Sequence, residues 1–93
     1  MGRRVKTVQQ YINFLESKGF ALQEDALGFI QFGQRYTNAS DELTNIAIEL
    51  TLKAQREFDG SFYISLLEMF VKGEIKSRGA AIRFIKEQEI MAI

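Results

Sequence analysis

The fold of this 93-residue chain is decided by residues 61–72, which read SFYISLLEMFVK. In a helix the polar positions of this stretch fall on one narrow line, because they are spaced at i, i+4, i+7 and i+11. These positions are Ser61, Ser65, Glu68 and Lys72. All the other residues from 62 to 71 are aromatic or aliphatic. A helix that is apolar on almost every side is buried on almost every side, so we expect residues 62–72 at the centre of a bundle.

Three other segments carry clear helical signals. Apolar residues at three- and four-residue spacing predict a first helix from Val5, which Gly19 ends as a left-handed residue. The same spacing predicts the longest helix over residues 41–58, with Ser40 as its N-cap. Residues 59–61 are expected to stop that helix, and Ser61 to cap the next one. Gly73 is expected to end the central helix, and Ser77 to cap a last helix over residues 77–88.

Residues 23–36 are compatible with either a helix or a strand. Ala26, Phe29, Ile30 and Gly33 form a helical stripe, whereas residues 30–32 alternate as a strand does. We favour the helix, because no partner strand is evident and a lone strand leaves its backbone hydrogen bonds unmade. The glycines of this segment are expected to let helices approach closely. The sequence therefore predicts an all-α fold, a single compact bundle of four to five short helices in one domain spanning residues 1–93.

The composition excludes several classes of function. Twelve basic and twelve acidic residues give a net charge of zero, so the chain has no overall basic field for nucleic acid or anionic lipid. The absence of Cys and His removes thiolate chemistry, the usual zinc ligands and the commonest general base. The adjacent acids at residues 24–25 and 41–42 lie at helix starts, where they stabilise the helix dipole. We expect no enzyme activity, no cofactor and no metal.

Residues 57–68 resemble the twelve-residue calcium loop of EF-hand proteins. By that resemblance, the calcium ligands would be Glu57, Asp59, Ser61, the Tyr63 carbonyl and Glu68. The sixth place of the loop requires Gly for a sharp turn and is Phe62 here, and the first place is Glu57 where Asp is expected. We therefore expect a turn followed by a buried helix, without calcium binding.

The segments on either side of Gly73 loosely resemble a helix-turn-helix. Four basic residues lie in or near the second helix: Lys76, Arg78, Arg83 and Lys86. However, the start of this helix carries one long side chain and three small ones, and Gly79 stands where the motif has an apolar residue. If these bases form one exposed surface free of acids, a nucleic-acid role gains support. If Glu74, Glu87 or Glu89 neutralises them, it loses support.

Apolar residues beyond the main core stripes indicate a surface for association. They are Ile48, Leu52, Tyr63, Leu67 and Val71, on the third and fourth helices. Either the chain covers them itself, or a second subunit or another protein does. Charge is also uneven, since residues 16–59 carry eight acids and four bases, a net of −4. We expect a small cytoplasmic protein-interaction or adaptor module that forms a homodimer; the alternative is a nucleic-acid-associated regulator that uses the C-terminal basic helix.

Overall fold

The computed structural model describes residues 6–88, and this part of the chain folds into five α-helices without a strand. The helices are α1 (Val8–Ser17), α2 (Glu24–Thr37), α3 (Asp41–Gln55), α4 (Gly60–Lys72) and α5 (Arg78–Glu87). The all-α prediction is confirmed, including the helix over residues 23–36. The expected helix start at Val5 lies outside the described residues.

Side-chain caps fix the starts of four helices. Thr7 and Gln10 form a capping box at α1, and Ser40 and Ser77 accept hydrogen bonds from the third residues of α3 and α5, as predicted for both serines. At α4 the cap is Asp59, whose carboxylate accepts a hydrogen bond from the Phe62 amide at 3.0 Å. The prediction of Ser61 as this cap is wrong, because the helix begins two residues earlier than expected.

The ends of four helices are set by left-handed residues. Gly19 has φ of 95° after α1, as predicted, and Asn38 has φ of 59° after α2. Arg56 takes this conformation at φ of 64°, which ends α3 three residues before the expected Phe58. After α4 the left-handed residue is Glu74, at φ of 56°, rather than a glycine. The amide of Glu74 bonds to the Val71 carbonyl, and the next amide bonds to the Phe70 carbonyl.

Helix α4 lies at the centre of the bundle, as residues 61–72 predict. Four of its side chains are at most 1% exposed: Tyr63, Leu66, Leu67 and Phe70. Helix α2 approaches α4 closely at Gly33, where an added Cβ would lie 2.7 Å from Cε2 of Tyr63. Gly33 therefore has the predicted role of bringing two helices together, because no side chain fits between them. All five helices contribute buried residues to the surrounding core, including Ile12, Ile30, Leu50, Phe70 and Ile85.

The predicted association surface on α3 and α4 is wrong for three of its five residues. Ile48, Tyr63 and Leu67 are each 0% exposed inside the chain. Leu52 is partly buried, and only Val71 is exposed, at 37%. The physical reason is that α3 contacts each of the other four helices, and α4 lies against both α2 and α3. The chain therefore covers most of the second apolar side of α3 and of α4 by itself and leaves Leu52 and Val71 at its margins.

Candidate protein-interaction surface

Helix α2 carries three large aromatic side chains on its outer side. Phe29, Phe32 and Tyr36 are 45%, 56% and 63% exposed, and together we call them the aromatic face. Their spacing of i, i+3 and i+7 aligns them along one side of the helix. The neighbouring side of α2 buries Ala26, Ile30 and Gly33 in the core. Helix α2 is therefore apolar on two sides, of which the chain covers one.

The rings of the aromatic face are held in place by contacts within the chain. Phe32 and Tyr36 stack with their centroids 5.5 Å apart and an interplanar angle of 11°. The ring of Phe29 lies against Gly60 at the start of α4, where an added Cβ would lie 2.6 Å from ring carbon Cγ. Glycine at residue 60 thus leaves the space that this ring fills. Each ring of the aromatic face therefore has a defined neighbour within the chain.

Gly28 lies next to the aromatic face and is exposed. It lines a shallow hollow of about 430 Å³ with Gln31, Phe32, Arg35 and Tyr36. A Cβ added at residue 28 would meet no atom within 4 Å, so the fold itself does not require a glycine here. Glycine inside a helix is nevertheless about 1 kcal/mol less favourable than alanine. The close helix approach that the sequence predicts at Gly28 is not made within residues 6–88, because nothing in this described part of the chain approaches it.

The charges of α2 are separated along its length. Glu24 and Asp25 lie in the first turn, and Arg35 lies in the last turn. All three side chains are exposed, and none of them forms an ion pair with another residue of the described chain. The aromatic face is thus flanked by negative charge at one end and positive charge at the other.

A second hollow, of about 500 Å³, adjoins the aromatic face where α2, the α1–α2 connection and the α3–α4 turn meet. Its apolar lining includes Phe20, Phe29, Leu52 and Phe58. Leu52, predicted as an interface residue, therefore lines a hollow that continues from Phe29.

The predicted basic surface on α5 is divided by an ion pair. Arg78 donates two hydrogen bonds to the carboxylate of Glu49 on α3, at 3.1 and 2.5 Å. Lys53 lies 3.4 Å from the same carboxylate, as its i,i+4 spacing from Glu49 predicts. The acid that neutralises Arg78 is thus on α3 and is none of the three glutamates considered from the sequence. Lys76, Arg83 and Lys86 are exposed.

The ion pair also changes the titration of the groups around it. The hydrogen bond from Arg78 lowers the pKa of Glu49 below its usual value, and the same bond raises the pKa of Arg78. Burial, with the nearby Glu49 carboxylate, raises the pKa of Tyr11 to about 12. These shifts keep Glu49 and Arg78 charged at neutral pH and Tyr11 protonated. The cluster joins α1, α3 and α5 as a structural element.

The segment that resembles a calcium loop is a turn and a helix. Asp59 caps α4, and residues 60–68 are helical, so Phe62 has ordinary helical backbone geometry. A helix holds Ser65 and Glu68 on one outer side and cannot wrap them around an ion. In the described part of the chain, no group of three or more Asp and Glu side chains is placed to hold a metal ion.

Across residues 6–88, none of the helices has the length and apolar character needed to span a membrane.

Comparison with known proteins gives one match. Residues 3–91 match the sequence model of a family described as "Family of unknown function (DUF6123)". The chain belongs to this family. No curated protein and no solved structure matches the chain. The family model covers nearly the whole chain. Its description gives no activity, so the surface of the molecule is the basis for a functional proposal.

The aromatic face was missed in the sequence, although a signal for it was present. Phe32 and Tyr36 are four residues apart, and they lie about 120° around α2 from Ala26 and Ile30, respectively. The strand-like alternation of residues 30–32 hides this position of Phe32, and the helical stripe of the sequence ends its aromatic residues at Phe29. A helical projection of residues 24–37 shows that Phe32 and Tyr36 extend this stripe beyond Phe29 to one side.

Proposed function

We propose that this member of the DUF6123 family is a small protein-interaction module that associates with a second copy of itself through the aromatic face. One observation carries the proposal: Phe32 and Tyr36, each more than half exposed, stack on a helix whose neighbouring side is core. Contiguous exposed apolar surface on a soluble protein is typical of interaction sites, and aromatic residues are enriched in their central parts.

The contacts that hold α2 against the core also favour the binding of a partner to its aromatic face. The Gly33 contact and the hydrogen bond from Tyr63 to the Ile30 carbonyl fix α2 against α4. A rigid helix loses little conformational entropy when a partner packs against it, so more of the interaction energy appears as affinity. The aromatic rings add large contact areas with few rotatable bonds.

The proposal includes a non-enzymatic role and a cytoplasmic location, as expected from the sequence. Such a module would act by holding chains together, with the aromatic face covered in the assembly. Fractionation of cells that express the tagged full chain tests the location.

Sedimentation velocity across a concentration series tests the association. We expect a shift from monomer to dimer below about 100 µM, which corresponds to a modest association free energy. Phe32→Ala and Tyr36→Ala should shift this equilibrium toward the monomer without loss of helical circular dichroism. Phe14→Ala is the matched control, because Phe14 is an exposed aromatic residue on a different helix, where its ring stacks on Tyr11 of α1. A wild-type chain that stays monomeric, or equal effects of Phe14→Ala and Phe32→Ala, would contradict the proposal.

A further inference from the structure

We infer that the two copies pack α2 against α2 in antiparallel orientation, about a two-fold axis that passes between Gly28 and Phe32. This inference rests on the proposed function and specifies the register of the contact. It assigns the side chain of Phe32 of each copy to the space above Gly28 of the other.

The first argument is the exposed glycine. Gly28 lies one helical turn before Phe32, and a Cβ at residue 28 would meet no atom of residues 6–88 within 4 Å. The absence of a side chain leaves a hollow on the same outer side of α2 that carries Phe32 and Tyr36. A small residue of this kind lets a second helix come close, and a large residue from that helix can fill the space. Gly28 lies two residues before residue 30, and Phe32 lies two residues after it. A two-fold axis at the level of residue 30 along the helix therefore places Gly28 of each copy opposite Phe32 of the other.

The second argument is charge. Asp25 and Arg35 lie five residues before and five residues after residue 30, in the first and last turns of α2. The same two-fold axis therefore brings Asp25 of each copy opposite the partner's Arg35, which gives two opposite-charge pairs per dimer. A parallel arrangement would bring Asp25 opposite Asp25 and Arg35 opposite Arg35. The charges thus favour the antiparallel orientation and disfavour the parallel one.

Substitution of Gly28 tests whether the α2 helices of the two copies approach each other closely at this residue. Gly28→Gln places a side chain where the partner's Phe32 would pack, and we expect the dimer Kd to rise about tenfold or more. The matched control is Gly79→Gln, since Gly79 is an exposed helical glycine on α5 whose added Cβ also meets nothing within 4 Å. Both substitutions improve helix propensity, so both should raise the thermal midpoint of the monomer at low concentration. Only Gly28→Gln should weaken the dimer.

Charge reversal tests the orientation. Asp25→Arg and Arg35→Asp should each raise the homodimer Kd about tenfold, because each replaces two attractive pairs by two repulsive ones. An equimolar mixture of the two variants should form a heterodimer, since all the facing pairs are then opposite in sign. The measurement is sedimentation velocity with one variant fluorescently labelled, at low and at high salt. High salt should reduce the difference between the mixture and the single variants.

The results of these experiments distinguish a wrong register from a wrong proposed function. A dimer that Phe32→Ala weakens, but that Gly28→Gln and both charge reversals leave unchanged, overturns the register and leaves the aromatic face as the interface. Charge reversals that leave each homodimer unchanged indicate the parallel orientation and also overturn it. A monomeric wild-type chain overturns both.

Discussion

The hydroxyl of Tyr63 donates a hydrogen bond to the backbone carbonyl of Ile30 at 2.8 Å, and both residues are 0% exposed. This bond joins the first turn of α4 to the buried side of α2. Burial of the phenol raises its pKa above the usual value, so the hydroxyl keeps its hydrogen across the physiological range. The residue once expected on an interaction surface thus holds in place the helix that carries the aromatic face.

Tyr63→Phe should lower the free energy of unfolding by about 0.5–1.5 kcal/mol, because it removes one buried hydrogen bond and leaves the shape of the ring. Urea unfolding followed by circular dichroism measures the change. Tyr36→Phe is the matched control and should leave the unfolding midpoint unchanged at low protein concentration, since Tyr36 is 63% exposed. Equal effects at both positions would contradict the structural role of the Tyr63 bond.

Leu67→Ala should destabilise the chain by about 2–5 kcal/mol, the usual effect of a cavity in a packed core. Leu67 is 0% exposed, whereas Val71, one turn later on the same helix, is 37% exposed. Val71→Ala is therefore the control and should cost less than about 1 kcal/mol. The comparison uses denaturant midpoints at a single protein concentration. A folded Leu67→Ala monomer of wild-type stability would restore the surface predicted from the sequence.

Glu74→Gly should stabilise the chain by about 0.5–1 kcal/mol. Residue 74 has φ of 56°, a left-handed conformation in which a side chain is strained and glycine is not. Thermal unfolding should show a higher midpoint. Lys72→Gly, inside the last turn of α4, serves as the opposite case and should lower the midpoint.

Stability at acid pH should depend on Glu49. Because the bond from Arg78 lowers the folded-state pKa of Glu49 below the usual 4.5, its contribution is present above about pH 4.5. The contribution is lost as the pH falls through the lowered folded-state pKa. Glu49→Gln should flatten this part of the stability curve and cost less than about 1 kcal/mol at pH 7, since the pair is partly exposed. The same acid dependence in wild type and Glu49→Gln would show that other carboxylates control it.

Nucleic-acid binding should be weak or absent at about 150 mM salt, where exposed charges are strongly screened. The net charge is zero, and Arg78 is already bound by Glu49. A fluorescence anisotropy titration with mixed DNA and RNA oligonucleotides measures this. Sequence-selective binding with submicromolar Kd would instead support the regulator that uses Lys76, Arg83 and Lys86.

The sequence was sufficient for features that depend on neighbours along the chain. Ser40 and Ser77 cap the predicted helices, Gly19 is left-handed, and the run of apolar residues around Leu66 places α4 at the centre. The sequence was insufficient where the burial of a residue depends on which other helices pack against it. Ile48 has the same local pattern whether another helix of the chain or a partner covers it, and the contact of α3 with four helices decides the outcome.

The contact between Phe29 and Gly60 links the outer side of α2 to the beginning of α4. The amides of Phe62 and Tyr63 in this turn bond to Asp59. Because the ring of Phe29 lies against the residue that begins the turn, anything that holds Phe29 in place should slow amide hydrogen exchange at Phe62 and Tyr63, although these residues lie on another helix. The protection pattern of α4 becomes a remote readout of whether the surface of α2 is covered.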